Sequence, residues 1–122
     1  MRPIRILLAD SHQNVRTQIR TRLSHEPGFE IVGEAASSER TVELVASARP
    51  DVVLIDPIMT DGHGLLAISQ ISSQVDVIVL TAFSDTVMQM ELKRMGVRQI
   101  LDKGIQSERL VDAIRGVIKP SS

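Results

Sequence analysis

The 122 residues carry 14 Lys and Arg against 15 Asp and Glu, with 43% hydrophobic residues, which fits one globular domain with its own core and no electrostatic pull toward nucleic acid or an anionic membrane. The absence of Cys, Trp and Tyr excludes disulfides, thiolate chemistry and Cys-held metals, and two Phe give no stacking platform for bases, sugars or a flavin. The apolar runs are shorter than the about 20 residues that span a bilayer, and Met1–Arg5 leads into a strand without a small-residue cleavage site, so a cytoplasmic domain is expected.

Apolar runs alternate with amphipathic stretches five times. Ile4 to Ala9 reads as a strand, and His12 to His25 as a helix with Val15, Ile19 and Leu23 on one face. Phe29 to Ala35 reads as a strand near a sheet edge. Ser37 and Ser38 are candidate caps for a helix carrying Val42, Val45 and Ala48, which Arg49-Pro50 ends. Asp51 to Ile55 is apolar after its first residue, as in a strand covered on both faces. A polar loop from Asp56 to Gly64 precedes a short helix with Leu65, Ile68 and Ile71. Val75 to Leu80 is a fourth strand. Ser84 or Asp85 caps a helix whose inward face is read as Val87, Met88, Leu92 and Met95, with Met90 outward and Gly96 at its end. Gln99 to Asp102 is a short fifth strand. Ser107 is read as the cap of a last helix with Leu110, Ile114 and Val117 inward. Residues 1–118 form the domain, and 119–122 read as the start of a linker or tail.

Five β–α units in strict alternation predict a mostly parallel sheet with helices on both faces, in either a Rossmann-like half or a flavodoxin-like (βα)5 sandwich of order 2-1-3-4-5. The segment after the first strand, Asp10-Ser11-His12-Gln13-Asn14, has no Gly, which weakens a nucleotide-binding reading. In such sheets ligands bind beyond the carboxyl ends of the strands. Asp10, Asp56, Thr81 and Lys103 stand at four of those ends, and the 2-1-3-4-5 order brings them around one concavity. Two carboxylates, a hydroxyl and an ammonium suit phosphoryl transfer onto a carboxylate, assisted by a hard cation.

The segments Ile6 to His12 (ILLADSH), Asp51 to Gly64 (DVVLIDPIMTDGHG), Val77 to Asp85 (VIVLTAFSD) and Ile100 to Gly104 (ILDKG) occur in the order and spacing of a response-regulator receiver domain, which the chain resembles over nearly its whole length. Gly28 to Leu44 is similar to receivers attached to helix-turn-helix DNA-binding output domains. The resemblance implies Asp56 as phosphoacceptor, Thr81 as the switch hydroxyl, Ala82 as the small residue beside it and Lys103 as the phosphoryl partner. It implies Mg²⁺ at Asp10, Asp56 and the Ile58 carbonyl, with a histidine kinase as donor. A C-terminal DNA-binding output domain and a second copy of the chain are further expected partners.

Several residues depart from the family pattern. Ser11 replaces the second residue of the acidic pair, so a weakened metal site is expected, with the Ser11 hydroxyl as a substitute ligand; about 1.4 kcal/mol of lost attraction is already tenfold in affinity. Ile100 replaces the switch aromatic. Thr60 stands where Pro is usual and His63 where Asp is usual. Ser11 and Ile100 sustain a rival reading, a phosphorylation-independent interaction or dimerisation module. A flavodoxin-like cofactor binder is disfavoured by the missing aromatics and phosphate loop. Arg16, Arg20 and Arg22 are read as a solvated basic helix face.

Overall fold

The computed structural model describes residues 2–118. The chain alternates β1 (Ile4–Ala9), α1 (Gln13–Ser24), β2 (Phe29–Ala35), α2 (Ser38–Ala48), β3 (Val52–Ile55), α3 (Gly64–Ile71), β4 (Asp76–Thr81), α4 (Thr86–Arg94), β5 (Gln99–Asp102) and α5 (Ser107–Ile118). All neighbouring strands pair in parallel, in the order β2-β1-β3-β4-β5. This is the expected flavodoxin-like sandwich. The expected linker at 119–122, Pro120 included, lies outside the described residues.

The period-two alternation of the strands sorts their side chains onto two faces. Ile6, Leu8, Val52, Leu54, Ile78 and Leu80 meet Ile19 and Leu23 of α1 and Leu110, Ile114 and Val117 of α5. Leu7, Ala9, Val53, Ile55, Val77 and Val79 meet Val45, Ile68, Ile71 and Leu92 of α2, α3 and α4. Each fully buried aliphatic side chain contributes about 1.5–3 kcal/mol, so the central strands are fixed on both faces and their tips become a rigid rim.

Helix ends follow local chemistry. The Ser37 hydroxyl accepts from the Arg40 amide at 3.1 Å, and the Asp85 carboxylate accepts from the Met88 amide at 2.8 Å. Pro50 disfavours the right-handed helical region for Arg49, which closes α2 with φ +49°. The Arg5 guanidinium reaches the Ala48 carbonyl beside it, a cation at a helix C-terminus. Gly96 ends α4 with φ +95°, as its position implied.

Four expectations need correction. Leu65 and Val87 are exposed, Val87 to 75%; the inner face of α3 is Ala67, Ile68 and Ile71, and Leu92 is the one buried residue of α4. One-residue offsets on helices this short swing a side chain by 100°, which spacing alone does not resolve. Ser107 is the first residue of α5, and its hydroxyl accepts from Arg22 Nε at 2.9 Å. Asp51 precedes β3; its carboxylate accepts from the Arg5 amide at 2.9 Å and pairs with Arg2 at 2.8 Å. The Arg16–Arg22 stretch is a solvated face only at Arg20, whose side chain is 54% exposed, while Arg16 and Arg22 are drawn inward. Arg16 and Arg20 both engage Glu34 on β2, and Arg22 donates to the Ile105 carbonyl. Among the described residues no helix is long and apolar enough to cross a membrane.

Candidate functional site

Ladder hydrogen bonds set the rim. The Asp10 amide donates to the Ala35 carbonyl and the Asp56 amide to the Ala9 carbonyl, both at 3.0 Å, while the Lys103 amide donates to the Thr81 carbonyl at 3.1 Å. Asp10 and Asp56 are therefore carried just past the ends of adjacent strands and stay almost fully buried, at 3% and 7% exposure.

The Lys103 ammonium joins them. Its Nζ lies 2.7 Å from Asp10 Oδ2 and 2.6 Å from Asp56 Oδ2. Asp10 Oδ1 accepts from the His12 amide at 2.8 Å and lies 3.1 Å from His12 Nδ1, and Asp56 Oδ1 accepts from the Ile58 amide at 2.9 Å. Burial pulls the Lys103 pKa down, but its bonds to the two carboxylates and their charges outweigh burial and leave it above the ordinary lysine value. Two carboxylates against one ammonium leave a net negative charge in a sheltered place, which favours a further cation.

The other expected members are placed differently. Thr81 is buried at its strand tip, yet its hydroxyl is turned to its own chain, 3.3 Å from the Phe83 amide and 3.4 Å from the Phe83 carbonyl. The side chains of Asp10, Asp56 and Lys103 thus meet through the ammonium, and the Thr81 hydroxyl stands at the rim with no bond to them among the described residues. The Ser11 hydroxyl faces the loop between β3 and α3, accepting from the Thr60 amide at 2.9 Å and lying 3.4 Å from Met59 Sδ. Ile58 is 46% exposed, and among the described residues its carbonyl takes no backbone hydrogen bond. Ile100 packs its aliphatic side chain against the α2–α4 side of the core.

The donor set can be judged for Mg²⁺, which takes oxygen ligands and is commonly held by one or two carboxylates with water and phosphate oxygens. Among the described residues no cluster of three His, Cys, Asp or Glu could hold a metal. Two buried carboxylates that converge on one ammonium offer oxygen ligands of the kind Mg²⁺ takes, with water completing the shell.

Two contacts escaped sequence reasoning. Arg16 Nη1 donates to the Asp10 carbonyl at 2.6 Å while its Nε donates to Glu34 at 2.9 Å, so a nearly buried guanidinium ties the site to β2. The only sequence signal was an Arg six residues after Asp10. The second is Asp61, in the polar loop between Asp56 and Gly64 and next to Gly62, which has φ +78°. Its carboxylate accepts from the Ser38 amide and Ser38 hydroxyl, both at 2.7 Å, and from the His63 amide at 2.9 Å. The His63 amide, then Ser38, hold the Asp61 carboxyl below the usual aspartate value. A folded-state pKa lowered in this way adds stability above the unfolded value, and that stability is lost as pH falls through the folded one. In an acid titration by NMR, the Ser38 and His63 amides are expected to shift together with a midpoint below that of free aspartate. A midpoint at the ordinary value would mean the latch is not closed.

The family model for the response regulator receiver domain matches residues 6–115. The chain belongs to the response-regulator receiver family. The receiver is 34% identical over 119 residues to transcriptional regulatory protein LiaR of Bacillus subtilis, covering 95% of this chain and 56% of LiaR. It is 31% identical over 115 residues to response regulator protein VraR of Staphylococcus aureus, covering 92% of this chain and 55% of VraR. The chain spans about half the length of the curated relatives it matches. The signal receiver domain of NarL from Mycobacterium tuberculosis superposes with a TM-score of 0.91 at 22% identity, covering 99% of this chain and 100% of that one. The response regulator domain of CheB from Thermotoga maritima gives 0.89 at 22% identity, with the same coverage. These two likenesses confirm the fold. The chain is the receiver domain of a two-component response regulator, a class of signalling domain phosphorylated by histidine kinases.

Proposed function

We propose that Asp56 takes a phosphoryl group from the phosphohistidine of a histidine kinase and that the receiver thereby switches an output partner. The observation that carries this reading is the Lys103 ammonium in contact with both buried carboxylates. A carboxylate oxygen of Asp56 attacks phosphorus as the P–N bond breaks, and the bonding electron pair leaves on the imidazole nitrogen, which is protonated as it departs. Lys103 shifts from neutralising Asp56 to holding a phosphoryl oxygen, and the Ile58 amide steadies the carboxyl group. Thr81 exchanges its weak bonds to Phe83 for another phosphoryl oxygen. Asp10, Asp56 and the Ile58 carbonyl would hold Mg²⁺, which offsets charge on the transferred group. With Ser11 in place of a carboxylate, that hold is weaker than in receivers with a full acidic pair.

Ile100 has no ring to turn inward, so a signal leaves through the β4–α4 loop and α4 without that lever. The output is a DNA-binding domain, in keeping with the likeness to transcriptional regulatory protein LiaR and with a solved DNA-binding response regulator of the LuxR family from Staphylococcus aureus, and the location is cytoplasmic. Intact-mass measurement with acetyl phosphate and Mg²⁺ tests the proposal. The wild type is expected to gain one phosphoryl group and Asp56→Asn none; no gain in the wild type under saturating donor overturns it. Ser11 and Ile100 sustain the second reading, a receiver-shaped interaction module indifferent to phosphate, which predicts instead that Asp56→Asn is silent in the cell.

A further inference from the structure

The loop between β3 and α3 carries Ile58, whose carbonyl is a proposed metal donor. Met59 anchors it from below, 5% exposed within the α2–α4 side of the core. Asp61 anchors its far end to α2 through Ser38. Ser11 meets it between those two points.

A serine hydroxyl has one donor and two acceptor positions. Here one lone pair takes the Thr60 amide at 2.9 Å, the Thr60 hydroxyl lies at 3.3 Å, and Met59 Sδ lies 3.4 Å away as the acceptor for its proton. All three positions are spent on two consecutive residues of one loop. To ligate a cation, the hydroxyl would have to give up the Thr60 hydroxyl or the Thr60 amide, and either exchange loosens the tie. A carboxylate at this position would lack the proton that meets the sulfur, and it would add charge beside Asp10.

We propose that Ser11 is a positioning residue, a neutral tie that fixes the β3–α3 loop across Thr60 and Met59, and not a ligand of the metal. It replaces the ordering that a metal-bound acidic residue would give this side of the pocket, so the loop is formed before any cation arrives. The metal clause rests on the reading under Proposed function; the tie does not.

Amide hydrogen exchange followed by NMR separates the two. In chelator, Ser11→Ala is expected to speed exchange at Thr60 about tenfold, the scale of one net hydrogen bond, while core amides such as that of Leu110 keep wild-type rates. Ser11→Thr, which keeps the hydroxyl, is expected to restore protection at Thr60. Unchanged Thr60 exchange in Ser11→Ala overturns the tie. In the wild type, Mg²⁺ is expected to move the Asp56 and Ile58 amide resonances while Thr60 stays protected. Loss of Thr60 protection on adding Mg²⁺ overturns the proposal, because it would show the hydroxyl leaving the loop for the cation. Resonances at Asp56 and Ile58 that ignore Mg²⁺ count against the metal reading above, and the chelator experiment still decides the tie.

Discussion

Lys103→Met is expected to destabilise the receiver by about 3 kcal/mol and to abolish phosphoryl uptake on Asp56. Methionine keeps the aliphatic stem and removes the charge. The Asp10 and Asp56 side chains, 5% and 8% exposed, then face each other without a cation. Removing one partner of a buried ion pair costs about 3–5 kcal/mol, and the lower end applies because water reaches the 21% exposed Lys103 side chain. Urea unfolding followed by circular dichroism reads the loss, since the chain has no Trp or Tyr. Millimolar Mg²⁺ is expected to raise the melting temperature of the variant more than that of the wild type, because the divalent ion meets two uncompensated carboxylates, and binding to the folded state alone is stabilising. A variant as stable as the wild type, with no response to Mg²⁺, would show that the three side chains do not meet.

Gly64→Ala is the second large effect. Gly64 opens α3, and a Cβ there would lie 1.9 Å from the Pro57 carbonyl oxygen and 2.6 Å from its carbon. Both are backbone atoms next to Asp56, so no side-chain rotation relieves the clash. Overpacking in a tight site costs about 1–3 kcal/mol, and a methyl pressed onto backbone atoms that cannot rotate away belongs at the top of that range. The expected result is a loss of about 3 kcal/mol on unfolding together with slower phosphorylation, because relief of the clash pushes Pro57 and Asp56 away from Lys103. Gly62→Ala is the control: its φ of +78° makes alanine strained, but nothing lies within 4 Å of the added methyl. It is expected to cost less and to leave phosphorylation nearly intact. Equal effects from the two variants would remove the close approach to Pro57 as the reason for glycine at position 64.

Much of this was legible before any coordinates. The runs at Asp51–Ile55 and Val75–Leu80 read as strands, the first as one covered on both faces, and strict β–α alternation with right-handed crossovers left few arrangements. Asp10, Asp56 and Lys103 followed from their places at strand ends. What stayed hidden were directions. Spacing put Thr81 and Ser11 at the rim but could not say that one hydroxyl turns to Phe83 and the other to Thr60. The contacts of Arg16 with Asp10 and Glu34 and of Ser38 with Asp61 cross between different elements, and no local pattern marks them. Leu65 and Val87 misled because short amphipathic helices tolerate apolar residues on their outer flank.

Both margins of the sheet are poor templates for a further strand. On one side the β1–β2 register slips between Ile6 and Leu7, leaving Val32 without a partner, and the glutamates Glu30 and Glu34 flank that bulge. On the other, β5 is only four residues long, with Gln99 and Asp102 exposed at its ends. Bulges, charges and brevity discourage edge-to-edge growth. An extended peptide therefore finds no flat border to join, which leaves the helix faces and the loops beyond Asp56 as the surfaces open to a partner.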